Sequence, residues 1–93
     1  MTSHKASRDV KIVNPKGLHA RPAAALSRLA SQYDAEVWLH CDGQDANARS
    51  IMDLLMLIAQ SGSAIEVRAE GAAAEDAVIA IAALIEAGFG EID

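Results

Sequence analysis

The sequence predicts an α+β domain of order βαββαβα, an open-faced sandwich in which three helices cover one face of a four-stranded antiparallel sheet. Three observations lead to this prediction. Four short segments alternate apolar and polar residues, as half-buried strands do, and three segments repeat apolar residues at helical spacing. Residues typical of turns separate these segments. Helices and a sheet that alternate in this way pack as two layers around one core.

The chain has room for one small domain. It contains 93 residues, of which 52% are hydrophobic and only 3% aromatic, so the core must consist mainly of Ala, Leu, Ile and Val. We expect a flexible or disordered extension over residues 1–8 and a single domain over residues 9–93. A domain of this size buries a modest share of its surface, so we expect its chemistry to lie near the surface.

The four strands are predicted from residues with a period of two. The first begins at Asp9, where Val10 and Ile12 share one side. The second covers residues 35–41, in which Val37, Leu39 and Cys41 can face a core while Trp38 and His40 face away. A DGQ turn leads into a short third strand over residues 44–48, and residues 63–70 alternate again as the fourth.

The first helix is predicted over residues 20–32. Pro22 lies near its start, where a missing amide hydrogen and a fixed φ angle break no helical hydrogen bond. The residues at helical spacing, which define the buried face, are Leu26, Leu29, Ala30 and Tyr33.

Two further helices follow. Ser50 and Asp53 fit a capping box, in which the Ser50 hydroxyl accepts from the Asp53 amide and the Asp53 carboxylate reaches back. We expect the second helix to run from there to about residues 61–62. The third is predicted over residues 73–87, with Gly88 as its C-terminal cap.

Composition excludes several classes of function. The net charge of −5 argues against nucleic acid as a partner, because phosphate backbones require clustered Lys and Arg. No apolar run reaches the roughly 18 residues of a membrane span, and the polar opening lacks the apolar stretch of a signal peptide. The single cysteine, Cys41, cannot form an internal disulfide and is interpreted as a core residue. We therefore expect a cytoplasmic protein that binds neither nucleic acid nor membrane.

The run GLHARP, residues 17–22, holds the residues best suited to chemistry. If the helix begins at Ala20, His19 is its N-cap, and the unpaired amides of the first turn point toward whatever the imidazole carries. A helix N-terminus favours negative charge, and Arg21 adds a fork that can bond phosphate oxygens in two places. This arrangement suits a phosphorylated imidazole. The residues alone leave a second interpretation open, in which His19 is only a cap or a surface residue.

A metal site is not expected. His4 and His40 lack both the spacing and the carboxylate or thiolate neighbours that a zinc site requires.

Two stretches carry a resemblance to a known family. GLHARPA, residues 17–23, is similar to the active-site signature of the HPr phosphocarrier proteins of the bacterial phosphoenolpyruvate-dependent phosphotransferase system. ARSIM, residues 48–52, resembles the second signature, around that family's regulatory serine. The resemblance extends over residues 10–89 and includes the order βαββαβα.

The resemblance implies a role for each matching residue. His19 would accept a phosphoryl group on Nδ1 from enzyme I and pass it to an enzyme IIA-type protein, and Arg21 would contact the phosphate. Ser50 would be the target of an HPr kinase/phosphorylase, although it can equally serve as a helix N-cap. The residues implied in partner docking are Ala20, Ile51, Met52 and Leu55. A monomer without cofactor or metal, and without independent turnover, is expected.

Some features favour the nitrogen-type branch of that family, whose phosphate flow regulates rather than transports. Ile58 follows LLML where the sugar-transport members commonly have a glycine, and the ending AGFGEID is acidic. Two other functions remain as alternatives. One is a regulatory binding protein phosphorylated at Ser50 without a relay role, and the other, suggested by fold analogy alone, is a nucleic-acid-binding α+β domain.

Overall fold

The computed structural model describes residues 4–91 and has the predicted architecture. Four strands form one antiparallel sheet in the order β1-β4-β2-β3, and the helices cover one of its faces. The elements are β1 (Lys5–Lys11), α1 (Ala20–Ala30), β2 (Glu36–Cys41), β3 (Gln44–Asn47), α2 (Ile51–Met56), β4 (Ala64–Glu70), α3 (Ala74–Glu86) and a final 3₁₀ turn (Gly88–Gly90).

The N-terminal boundary differs from the prediction. β1 begins at Lys5, which pairs with Glu70 of β4, so residues 5–8 belong to the sheet and not to a flexible extension. These residues show little apolar alternation because β1 is an edge strand, and its helix-side residues before Val10 are half-buried at Ala6 and exposed at Arg8. Residues 1–3 of the predicted extension lie outside the described part of the chain.

The core lies between the sheet and the three helices. Its fully buried side chains include Leu26 of α1, Leu39 of β2, Leu54 of α2 and Ile81 of α3. Each contributes about 1.5–3 kcal/mol through removal of apolar surface from water. Cys41 is buried in this core, as predicted, and its burial, followed by the negative charge of Asp42, raises the pKa of its thiol. The thiol therefore packs as a small apolar group.

α2 is shorter than predicted. It ends at Met56, and Ile58 adopts a left-handed conformation with φ of 50°. The prediction that this helix continues to residues 61–62 was wrong, because the apolar run does not reveal where the chain must turn. The turn brings the Ala59 carbonyl oxygen within 2.9 Å of the Leu18 amide, so the end of α2 supports the loop before α1.

One half of the predicted capping box is present. The Ser50 hydroxyl accepts a hydrogen bond from the Asp53 amide at 3.1 Å. The Asp53 carboxylate accepts from the Asn47 amide at 3.4 Å and not from Ser50, whose own amide donates to the Asn47 carbonyl. The loop before α2 turns back on itself, and this gives the Ser50 amide a nearer acceptor.

Replacing Ser50 with alanine should therefore lower the free energy of unfolding by about 1 kcal/mol, because one amide at the start of α2 loses its acceptor. Urea denaturation measures the change, and Ser61→Ala is the matched control, since Ser61 is exposed in a turn. Ser50→Thr keeps a hydroxyl acceptor without added charge and should lie near the wild type. Equal unfolding midpoints for Ser50→Ala and Ser61→Ala would contradict this expectation.

Candidate functional site

His19 is the N-cap of α1, as predicted. Its backbone is extended, its carbonyl accepts the first helical hydrogen bond from the Ala23 amide at 2.9 Å, and its side chain makes no cap hydrogen bond. The imidazole is 35% exposed. The ring is thus held at the mouth of the helix with part of its surface open to a reaction partner.

The loop before His19 depends on Gly17. Its φ angle of 69° lies in the left-handed region, and a Cβ at this position would be 2.5 Å from the Ala59 carbonyl oxygen. Only glycine fits both the conformation and the close approach. The neighbouring Leu18 is buried and donates its amide to the same carbonyl. The chain is therefore fixed against the end of α2 immediately before the histidine.

The start of α1 offers positive groups with no other partner. The Ala20 and Arg21 amides have no backbone acceptor within residues 4–91, and Pro22 has no amide hydrogen to offer. The exposed Arg21 guanidinium makes no salt bridge to a carboxylate of the described chain. Two amides, a guanidinium and the positive end of a helix together form a site that suits an anion.

Two residues that the sequence analysis did not identify complete the site. Nε2 of His19 lies 2.8 Å from Oε2 of Glu91, whose side chain is only 11% exposed. The other carboxylate oxygen, Oε1, accepts a hydrogen bond of 2.7 Å from Nδ2 of Asn14. Asn14 is buried and also donates to the Gly17 carbonyl at 2.8 Å. One amide side chain thus joins the histidine loop to the C-terminal segment.

The electrostatic balance at Glu91 favours its ionised form. Desolvation is the largest single effect and raises the pKa of this carboxyl. The hydrogen bonds from Asn14 and His19, together with the positive charge of His19 and Arg21, outweigh it, so the pKa of Glu91 lies below its usual value. Glu91 therefore carries a carboxylate beside the histidine at neutral pH.

A left-handed turn brings Glu91 to the site. Gly88, Phe89 and Gly90 all have positive φ angles, and the Glu91 amide donates to the Gly88 carbonyl at 3.0 Å. Phe89 packs against the core and anchors the turn. The GFG run after α3 was the available sequence signal, since two glycines around an aromatic residue indicate a turn. It did not reveal which residue the turn would approach.

The predicted docking residues lie partly on the surface. Ala20 is exposed, and so are Ile51 and Met52 on α2, at 41% and 70%. Leu55 is half-buried against the core. The exposed apolar surface of this region, here called the α2 patch, consists of Ile51, Met52, Met56 and Ile58.

α2 is tied to α1 through the residue before Ser50. The Arg49 carbonyl accepts from the Ser27 hydroxyl of α1 at 2.7 Å. The Arg49 guanidinium donates to the Tyr33 and Ala35 carbonyls at 2.8 and 3.0 Å. Arg49 thus holds the start of α2 against the end of α1, and the α2 patch and the histidine loop belong to one packed unit.

Other features of the described chain lie apart from this unit. A shallow groove of about 550 Å³ on the open face of the sheet is lined by residues that include Trp38 and Arg68, and by none of the predicted site residues. His40 pairs with Asp45 at 2.7 Å. Within residues 4–91 no group of three His, Cys, Asp or Glu side chains could hold a metal ion. No helix in the described range is long and apolar enough to span a bilayer.

Comparison with known proteins bears on the same residues. A protein-family model described as "PTS HPr component phosphorylation site" matches residues 6–87. Phosphocarrier protein NPr of Escherichia coli K12 is 47% identical over 83 residues, which are 88% of this chain and 92% of that protein. Phosphocarrier protein HPr of Neisseria meningitidis Z2491 is 40% identical over 82 residues, with the same two coverages of 88% and 92%.

A crystal structure of HPr from Thermoanaerobacter tengcongensis superimposes with a TM-score of 0.89 at 38% identity, covering 95% of this chain and 99% of that one. The fold and the resemblance predicted from the sequence are both confirmed. An HPr-type sheet and sequence similarity along most of the chain thus point the same way, and the chain belongs to the HPr family of phosphotransferase-system phosphocarriers, with similarity to its NPr-type members.

Proposed function

We propose that His19 carries the phosphoryl group, that an enzyme I-type protein supplies it and that an enzyme IIA-type protein receives it, in a regulatory, nitrogen-type pathway rather than in sugar uptake. One observation supports the assignment most directly. The imidazole is about one-third exposed at the start of α1, its Nε2 is engaged by Glu91, and its Nδ1 makes no hydrogen bond within the described chain. Nδ1 is therefore the ring atom available for reaction.

The surroundings of His19 fit the requirements of phosphoryl transfer. The transition state is loose and spreads negative charge over three oxygens, so catalysis depends mostly on placed positive groups. The Ala20 and Arg21 amides and the Arg21 guanidinium are the groups of this kind at the start of α1. The two amides are fixed by the helix backbone, so they need little reorganisation during the reaction.

The α2 patch fits a surface that partners use in turn. Met52 and Met56 of α2, and Ile58 just after it, are each about two-thirds or more exposed, and Arg49 ties α2 to α1. Methionine side chains adapt to more than one partner surface, because they are unbranched and polarizable. A donor and an acceptor that share the patch would bind alternately, as a relay requires. This supports transient contact with both partners.

Phosphorylation of Ser50 by an HPr kinase/phosphorylase is the alternative. Its hydroxyl already caps α2, and the Asp53 carboxylate lies one turn further, close to the Asn47 amide. A phosphate on Ser50 would meet that negative charge, which opposes the modification. We therefore place the relay at His19 first and a regulatory role of Ser50 second.

A labelling experiment separates the two. The protein is incubated with an enzyme I-type protein and labelled phosphoenolpyruvate, and the stability of the bound phosphate is measured in acid and in base. We expect an acid-labile, base-stable label, as for phosphohistidine, which persists in Ser50→Ala. An acid-stable label that disappears in Ser50→Ala would overturn the proposal and favour the serine.

Replacing Arg21 with alanine should slow phosphoryl transfer by about 10- to 100-fold, the cost of one strong hydrogen bond to a charged group. Arg21→Lys keeps the charge but cannot form two parallel hydrogen bonds to phosphate, so its transfer rate should lie between those of the wild type and Arg21→Ala. Single-turnover transfer from the phosphorylated donor measures the rate. Arg28→Ala is the matched control, because Arg28 is exposed in the last turn of the same helix. Equal rates for the two alanine variants would argue against a role of Arg21.

A further inference from the structure

Glu91 and His19 are 72 positions apart in the chain, yet they form a short polar contact of 2.8 Å at the candidate site. Glu91 lies outside residues 6–87, the range that the family model matches. Its other oxygen is held by Asn14, so the carboxylate has a partner on each side. A side chain only 11% exposed with two such hydrogen bonds has one preferred orientation.

This geometry determines which ring nitrogen carries the proton. An ionised carboxylate can only accept hydrogen bonds, so the Nε2 that faces Glu91 must donate. In the neutral imidazole the lone pair then lies on the other nitrogen, Nδ1. The opposite tautomer would direct the Nε2 lone pair at the negative oxygen, which is repulsive. The carboxylate thus selects the tautomer in which Nδ1 is the nucleophile.

We propose that Glu91 is a positioning residue for phosphoryl transfer, which holds His19 in the Nε2-protonated tautomer and orients its ring, and that Asn14 fixes Glu91 for this task. The inference rests on the proposed function, because it assumes that His19 is the phosphoryl acceptor. The contact is made by a segment that follows α3, so the C-terminal turn becomes a part of the reaction site.

The transfer step balances without movement of a proton. The Nδ1 lone pair forms a bond to phosphorus, and the donor's bond to phosphorus breaks with its electron pair remaining on the donor. Nε2 keeps its hydrogen throughout. The phosphorylated ring then bears a positive charge shared between its nitrogens, and the Glu91 carboxylate beside Nε2 stabilises that charge. On transfer to the acceptor the same events run with His19 as the donor.

Glu91→Gln tests the proposal with little change in size. Because Nδ2 of Asn14 donates to one end of this side chain, the glutamine oxygen takes that place and its NH2 group faces Nε2, which favours the tautomer protonated on Nδ1. We expect single-turnover transfer at saturating donor to slow by about tenfold, with the dissociation constant of the donor unchanged. The control is Glu86→Gln, which makes the same charge change on the exposed end of α3 and should transfer at the wild-type rate.

A spectroscopic measurement gives a readout that a structural role alone would not change. Nitrogen chemical shifts of the His19 ring in the unphosphorylated wild-type protein, recorded at a pH where the ring is neutral, should show a protonated Nε2 and an unprotonated Nδ1. The Glu91→Gln ring should show a larger share of the Nδ1-protonated tautomer than the wild type. This measurement needs no variant to establish the wild-type tautomer, so it holds even if a substitution perturbs folding.

The outcomes separate this inference from the proposed function. If the wild-type protein accepts label on His19 but Glu91→Gln transfers at the wild-type rate, or if the wild-type Nδ1 is protonated in the neutral ring, the role of Glu91 is refuted and the carrier function stands. If a variant without His19 still takes up as much label as the wild-type protein, the proposed function itself fails.

Discussion

Replacing His19 with glutamine is expected to abolish acceptance of an acid-labile phosphate from the enzyme I-type donor. Glutamine has a similar reach from the backbone, but its amide nitrogen has no free lone pair to attack phosphorus. The loss should be complete, because the anion site at the start of α1 can stabilise a transferring phosphoryl group only when a nucleophile is present. The measurement is the amount of label bound to the protein after incubation with labelled phosphoenolpyruvate and an excess of the donor.

A second histidine serves as the control for this experiment. His40 lies on β2, on the open face of the sheet, paired with Asp45. His40→Gln removes an imidazole of similar exposure and should incorporate the same amount of phosphate as the wild type. Thermal unfolding of both variants shows whether the fold is retained. A well-folded His19→Gln protein that still gains acid-labile phosphate would disprove the assignment of the acceptor.

Replacing Gly17 with alanine is expected to lower the free energy of unfolding by about 3 kcal/mol or more. Two effects combine at this position. The left-handed φ angle is unfavourable for any residue with a Cβ, and that Cβ would be 2.5 Å from the Ala59 carbonyl oxygen, so the backbone must shift. The shift also breaks the hydrogen bond between the Leu18 amide and the same carbonyl. Urea denaturation measures the loss.

Gly43 separates the two effects. It has a similar φ angle of 79° in the turn between β2 and β3, but a Cβ there would meet no atom within 4 Å. Gly43→Ala therefore reports conformational strain alone, about 1 kcal/mol. The difference between the variants isolates the contact with Ala59. If both variants lose the same stability, the close approach carries no energetic weight. Any Gly17→Ala protein that remains folded should also transfer phosphate more slowly, because the loop before His19 has moved.

The order of the elements and the position of His19 at the start of α1 could both be predicted from short stretches of sequence. Alternation in strands and helical spacing are local patterns, because the face of the element to which a side chain points depends only on the number of residues between it and its neighbours in sequence. The N-cap position of His19 follows from where the periodic apolar residues begin and from Pro22 in the first turn. Such features require no knowledge of distant parts of the chain.

The extent of β1 and the length of α2 were predicted less well. Residues 5–8 are ordered because they pair with residues of β4 that lie about sixty positions further along the chain. The side chains of residues 5–8 give little sign of this strand pairing. α2 stops at Met56 because the following backbone turns to meet the loop at Leu18. In both cases the deciding partner is remote, so the local pattern is a poor guide to the boundary.

By itself, the sequence determined the fold class, the helix that begins after the histidine, and the guanidinium placed two residues beyond it. Only the tertiary structure decided that Glu91, held by Asn14, meets His19 and that Gly17 must approach Ala59. The physical reason is one of range. Helical and strand periodicity arise from bonds between residues near in sequence, whereas the ring's hydrogen-bond partner is supplied by a turn whose position depends on how α3 and Phe89 pack on the core.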